Sequence, residues 1–170
     1  MNVLSSPDAV RRWRAELPVS RKIGFVPTMG ALHRGHMALV ERSVRENELT
    51  VASIFVNPTQ FGPAEDFSRY PRPFKADRDL LRKAGVDMLF APTPPDMYPS
   101  GHATSVRVSG LTDTLCGAPT SRGPAHFAGV ALVVAKLFAI VSPTRAYFGL
   151  KDFQQVRVIE RMNDDLNLGV

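Results

Sequence analysis

The sequence predicts an α/β fold, a doubly wound parallel sheet with helices on both faces. Three observations carry this. The runs Lys22–Val26 and Leu49–Val56 are short and apolar, and the second is rich in β-branched residues; strands covered on both faces read this way. Between them Met37, Leu39, Val40 and Val44 recur at helical spacing. A strand–helix–strand unit of this kind crosses over right-handed and leaves its two strands parallel. The alternation then continues through Phe74–Ala84 (helix), Val86–Ala91 (strand), Phe127–Val141 (helix) and Arg145–Phe148 (fourth parallel strand).

Local signals set the remaining elements. Ser6 can cap a helix over Ser6–Glu16 with Pro7 in its first position, and Val10, Trp13 and Leu17 give it one apolar side. The helix after His36 runs to about Asn47. Gly85 suits the left-handed stop of the helix from Phe74. Pro92–His102 carries four prolines and is expected to be irregular, Ser105–Val108 to be an edge strand, and Leu111–Cys116 to form a helical turn or two. Asp152 is expected to cap a last helix ending near Asn167–Gly169.

Composition excludes several classes of function. The 170 residues suffice for one domain with a core, and 44% hydrophobic with 22% charged residues is ordinary for a soluble globular protein. No apolar run approaches the ~20 residues of a membrane span, and the N-terminus lacks a basic-then-apolar leader pattern. One cysteine, Cys116, allows no internal disulfide and suits a reducing compartment, hence the cytoplasm. The net charge of +5 is scattered, so no clustered face for nucleic acid is expected. A local positive pocket for an anionic small molecule fits the balance better.

The chain is organised around Phe25–His36, where a strand leads through a loop bearing Pro27, Gly30 and Gly35 into a helix. His33 and His36 stand at the helix mouth, where free N–H groups and the dipole suit a phosphate. Two histidines there could also be solvated caps. Four histidines and one distant cysteine do not make up a zinc site. In a parallel sheet ligands bind beyond the carboxyl ends of the strands. That edge also receives Asn57-Pro58-Thr59-Gln60 and Gly149-Leu150-Lys151-Asp152. Asn57 alone reads as a turn former and Lys151–Asp152 as a solvated cap pair; Asp77 alone reads as a favourable charge near a helix N-terminus.

His33-Arg34-Gly35-His36 resembles the His-x-Gly-His signature of nucleotidyltransferases and class I aminoacyl-tRNA synthetases. The longer Pro27–His36 string, with Val56-Asn57-Pro58-Thr59-Gln60-Phe61, His126-Phe127-Ala128-Gly129-Val130 and Phe148–Gln155, is similar to the pantoate–β-alanine ligases over essentially the whole chain. The resemblance implies a Rossmann-like domain spanning residues 1–170, a cytoplasmic homodimer, ATP and Mg2+ as co-substrate and cofactor, and pantoate and β-alanine as partners. Nucleic acid and membrane are not among them. It implies that Met29, Gly30, Ala31, Leu32, His33, Arg34, Gly35 and His36, with Gly149, Leu150, Lys151 and Asp152, line ATP. His36, His33 and Lys151 would be catalytic, Gln60, Gln155 and Asn57 would hold substrate, and Asp77 would lie at the metal.

The chain also departs from the pattern. Ala76 and Leu150 replace residues often acidic in the family. Arg122-Gly123-Pro124-Ala125-His126 has one residue more than the usual Arg-Pro-Gly-His. Family members continue into a smaller C-terminal lid domain beyond the point matching Val170, so the expectation is an N-terminal domain of weak activity. Another His-x-Gly-His nucleotidyltransferase, and a non-catalytic nucleotide-binding or dimerisation domain, are the alternative readings.

Overall fold

The computed structural model describes residues 1–62, 67–112 and 123–170. Five strands form one all-parallel sheet in the order β1-β4-β3-β2-β5. They are β1 (Asn2–Leu4), β2 (Ile23–Thr28), β3 (Leu49–Ile54), β4 (Met88–Phe90) and β5 (Arg145–Ala146). The helices are α1 (Pro7–Ala15), α2 (Arg34–Glu46), α3 (Phe74–Lys83), α4 (Pro94–Met97), α5 (Pro124–Val141) and α6 (Phe153–Asp165).

Successive strand residues point to opposite faces, and this alternation divides the core in two. Ile23, Phe25, Val51, Met88 and Phe90 pack with α1, α5 and α6. Val26, Ala52 and Leu89 face the other way, onto Val40 of α2 and Leu81 of α3. Both faces are covered, which is why these strands carry apolar runs rather than polar alternation. Helix α5 is apolar nearly all round because it is the central helix of the first layer. Among the described residues no helix is long and apolar enough to cross a membrane.

The predicted elements appear with shifted ends. Ser6 caps α1 by accepting the Ala9 N–H (3.2 Å), and Gly85 follows α3 at φ +87°. Helix α2 begins at Arg34, capped by His33, and α5 begins at Pro124. Three expectations are corrected. Ser105–Val108 is not a strand: it pairs with none of the five, and its Val108 is buried against the first core layer as irregular chain. The proline-rich connection holds α4, whose Thr93 N–H donates to the Asp96 carboxylate (2.7 Å). Asp152 makes no side-chain cap bond to α6. Residues 113–116 of the expected Leu111–Cys116 turn, and Arg122, lie outside the described residues.

Candidate active site

The strand order defines where a ligand can enter. From β2 the chain moves one way across the sheet to β3 and β4, then returns to place β5 on the other side of β2. The crevice beyond the carboxyl ends of β2 and β5 is therefore the topological switch point, the usual ligand position in such sheets. A hollow of about 180 Å3 lies there. Pro27, Thr28 and Met29 reach it from β2, and Phe148, Asp152 and Gln155 from beyond β5. Val130, Val133, Val134 and Leu137 of α5 give it an apolar wall, and Phe55, His36, Asn57, Gln60 and Tyr70 complete it.

The loop after β2 is held from below. The Thr28 hydroxyl donates to the Ser53 carbonyl (2.7 Å) and accepts the Gly30 N–H (3.1 Å). Gly30 (φ +81°) and Ala31 (φ +50°) are then both left-handed, a turn favouring glycine at the first position and strained at the second. Asp77 of α3, 2% exposed, accepts the Ala31 N–H on Oδ2 (2.7 Å) and the Leu32 N–H on Oδ1 (2.9 Å).

At the start of α2 the two histidines cap each other's backbone. His33 Nδ1 accepts the Gly35 N–H (3.1 Å), and His36 Nδ1 accepts the His33 N–H (3.4 Å). A backbone N–H can only donate, so both Nδ1 atoms carry lone pairs and both rings present Nε2–H. The rings stack with centroids 4.0 Å apart. Burial, and after it the neighbouring His33, hold the His36 pKa below the ordinary histidine value, against a smaller upward pull from Asp77. A neutral ring preserves the cap; an imidazolium would turn Nδ1 into a donor facing a donor.

Gln60 is fixed on three sides. Asn57, 1% exposed, donates from Nδ2 to Gln60 Oε1 (3.1 Å) and to the Gly129 carbonyl (3.1 Å). Its Oδ1 accepts the Thr59 N–H (3.3 Å) and the Tyr98 hydroxyl (2.8 Å). This orientation leaves the Gln60 amide nitrogen facing Met29 Sδ (3.0 Å). His126 Nδ1 lies 2.7 Å from the Gln60 backbone carbonyl; an oxygen of that kind only accepts, so His126 donates from Nδ1. Helix α5 closes on this turn because residue 129 is glycine: a Cβ there would overlap the Thr59 carbonyl group.

The structure thus brings Met29, His36, Gln60, Asp152 and Gln155 to one crevice, with His33 stacked beside His36. Lys151 is exposed and does not line the hollow, and Gly149 and Leu150 are likewise exposed before it. Asn57 turns inward, orienting Gln60. Asp77 commits both oxygens to backbone amides, Ala76 beside it offers no ligand, and among the described residues no cluster of three His, Cys, Asp or Glu could hold a metal. These side chains do not fit a protein-held Mg2+. Sequence reasoning missed Tyr98, which lies 41 residues from Asn57, and the contact of His126 with the Gln60 carbonyl.

Comparison with known proteins places the chain in a family and agrees with the fold. The family model for pantoate-beta-alanine ligase matches residues 2–170. Pantothenate synthetase of Moorella thermoacetica is 54% identical over 171 residues, covering 100% of this chain and 59% of the relative. That of Thermus thermophilus is 58% identical over 162 residues, covering 95% and 57%. A crystal structure of the Thermus thermophilus enzyme superposes with TM-score 0.92 at 56% identity, covering 100% of this chain and 59% of that one. The Francisella tularensis pantoate-beta-alanine ligase, complexed with beta-gamma ATP and beta-alanine, superposes with TM-score 0.94 at 38% identity, covering 100% and 64%. The chain spans a little under three fifths of the length of these curated relatives. With a matching family model over nearly every residue and relatives above half identity, the chain belongs to the pantoate–β-alanine ligase family.

Proposed function

We propose that this chain forms the ATP- and pantoate-binding domain of an AMP-forming pantoate–β-alanine ligase. The observation that carries the reading is the crevice at the switch point. It sets two glutamine amides and an apolar wall beside a histidine-capped helix N-terminus. Pantoate needs that combination: a branched dimethyl carbon for Val133, Val134 and Leu137, and hydroxyl and carboxylate oxygens for Gln60 and Gln155. At about 180 Å3 the hollow suits so small an acid better than a nucleotide, which would lie along the exposed rim from His33 to Lys151.

A carboxylate does not react with an amine because oxide is a poor leaving group. In this reading the pantoate carboxylate attacks the α-phosphorus of ATP, the bond to the bridging oxygen breaks, and pyrophosphate departs. The β-alanine amine then attacks the acyl carbon, forming the C–N bond and releasing AMP. Charge spreads over phosphate oxygens in the first step, so positioning and electrostatic stabilisation dominate. His36 and His33 donate hydrogen bonds from Nε2, the α2 N-terminus adds its dipole, and Lys151 adds a cation from the rim. The lowered His36 pKa favours hydrogen-bond donation by a neutral ring over proton transfer. Any Mg2+ would come as the counter-ion of ATP rather than on these side chains, and would supply charge neutralisation there. The family resemblance extends the proposal to a homodimer in the cytoplasm.

Exchange of labelled pyrophosphate into ATP tests the reading. Exchange that requires pantoate, and is lost in His36→Ala, is the expected result. Exchange supported equally well without pantoate, or promoted by a phosphorylated alcohol instead, would assign the site to another nucleotidyltransferase chemistry.

A further inference from the structure

We propose that Asp77 is a positioning residue for the nucleotide end of the site. Clamped on the Ala31 and Leu32 amides, its carboxylate holds the left-handed turn that aims the His33–His36 pair.

Ala31 and Leu32 immediately precede His33, whose own N–H is given to His36 Nδ1. Whatever sets their peptide planes therefore sets the histidine cap. Asp77 does so from the far side of the loop. It reaches in from the first turn of α3, 2% exposed, with one oxygen on each amide at 2.7 and 2.9 Å. Charge-assisted bonds of this length are the stronger class. They restrain Ala31 at φ +50°, a region that a residue with a Cβ enters only at a cost. A side chain at the neighbouring Gly30 would crowd the clamp: a Cβ there would lie 3.1 Å from Asp77 Oδ2.

A buried carboxylate behind a site for a polyanion would oppose binding if its charge were free to act. Here two N–H dipoles and the α3 N-terminus absorb it. The same geometry argues against metal ligation. Hard cations such as Mg2+ take several oxygens in octahedral array. Asp77 instead faces backbone amides, and its neighbour Ala76 has no oxygen to add. An amide at position 77 would set an NH2 against one of the two N–H groups, donor against donor. Asp77→Asn therefore breaks the clamp while keeping the shape of the side chain.

The clamp itself is tested without ligand, and its consequence for ATP rests on the function proposed above. In the 15N-labelled chain, long-range spectra of the imidazoles report the tautomers, and hydrogen exchange reports the Ala31 and Leu32 amides. Asp77→Asn is expected to speed exchange at both amides by roughly tenfold and to mix the tautomers of His33 and His36. ATP affinity is expected to fall roughly tenfold, by the same factor in Mg2+ and in EDTA, with pantoate affinity held within about twofold, since Gln60 depends on Asn57 and His126 and not on Asp77. Unchanged imidazole and amide signals would overturn the clamp. So would an ATP loss confined to Mg2+, which marks a metal ligand, or an equal loss of pantoate, which marks general collapse. A wild-type chain that binds no ATP would sink the nucleotide reading alone, leaving the spectra to decide the clamp. Should Asp77→Asn not fold, Asp77→Asn with Ala31→Gly relieves the left-handed turn; it is expected to fold and regain the single tautomers, and failure to regain them overturns the proposal.

Discussion

Gly129→Ala is a substitution that local propensity and tertiary packing judge oppositely. Residue 129 lies inside α5, where alanine is favoured over glycine by about 1 kcal/mol. The added Cβ, however, would overlap the Thr59 carbonyl group and crowd the Gln60 nitrogen. These are backbone atoms, so no rotamer change relieves the contact. Overpacking of this kind costs about 1–3 kcal/mol. Moving α5 outward also strains the Asn57–Gly129 and His126–Gln60 hydrogen bonds, worth about 1 kcal/mol each. Set against the gain in helix propensity, the net loss is about 2 kcal/mol. For a chain of this length that lowers the melting midpoint by about 4–8 °C. Thermal unfolding followed by circular dichroism measures it, with pantoate titration as a second reading, since Gln60 moves with the turn. A variant as stable as the parent, or more stable, would refute the claim that close approach of α5 builds the Gln60 side of the crevice.

Other perturbations separate the parts of the site. Asn57→Ala leaves the Gly129 carbonyl and the Tyr98 hydroxyl without their buried partner, and should cost about 2–4 kcal/mol in urea unfolding and weaken pantoate binding. The pKa of His36 is depressed on folding, so the unfolded chain binds more protons once the pH drops through the ordinary histidine value of 6.5. Stability should be level above that pH and fall below it through the lower folded pKa, with a shallower fall in His36→Gln; an identical pH profile in the variant would remove His36 as the cause. His36→Asn keeps an acceptor for the His33 N–H but loses the outward donor, so it should retain stability at about pH 7.5 while weakening ATP binding roughly tenfold.

Much of this architecture is legible in the sequence because periodicity reports faces. Ile23–Val26 and Leu49–Ile54 are mainly apolar, with Thr50 and Ser53 the buried polar exceptions, since both sides of β2 and β3 are covered, and that pattern survives without any knowledge of neighbours. β1 has no such signal: three residues, the first two exposed, become a strand only by pairing with β4. Ser105–Val108 has the composition of a strand but pairs with none of the five. The same distinction runs through the site. Gln60, Gln155 and the histidines belong to short continuous motifs, whereas the partners that aim them come from elsewhere in the chain. Asp77 is 46 residues from Ala31, and His126 is 66 from Gln60. Seen alone, Asp77 reads as a charge near a helix N-terminus, and the family resemblance adds a metal; its two amide partners give it a different task.

The central claim is that pantoate occupies the crevice between the carboxyl ends of β2 and β5. Titration of pantoate into the isotope-labelled chain tests this without requiring turnover. The account expects the largest shifts in the side-chain amides of Gln60 and Gln155 and the methyl groups of Val133, Val134 and Leu137, saturating together and abolished in Gln60→Ala. Saturable shifts confined to other surfaces, with those groups unmoved, would contradict it.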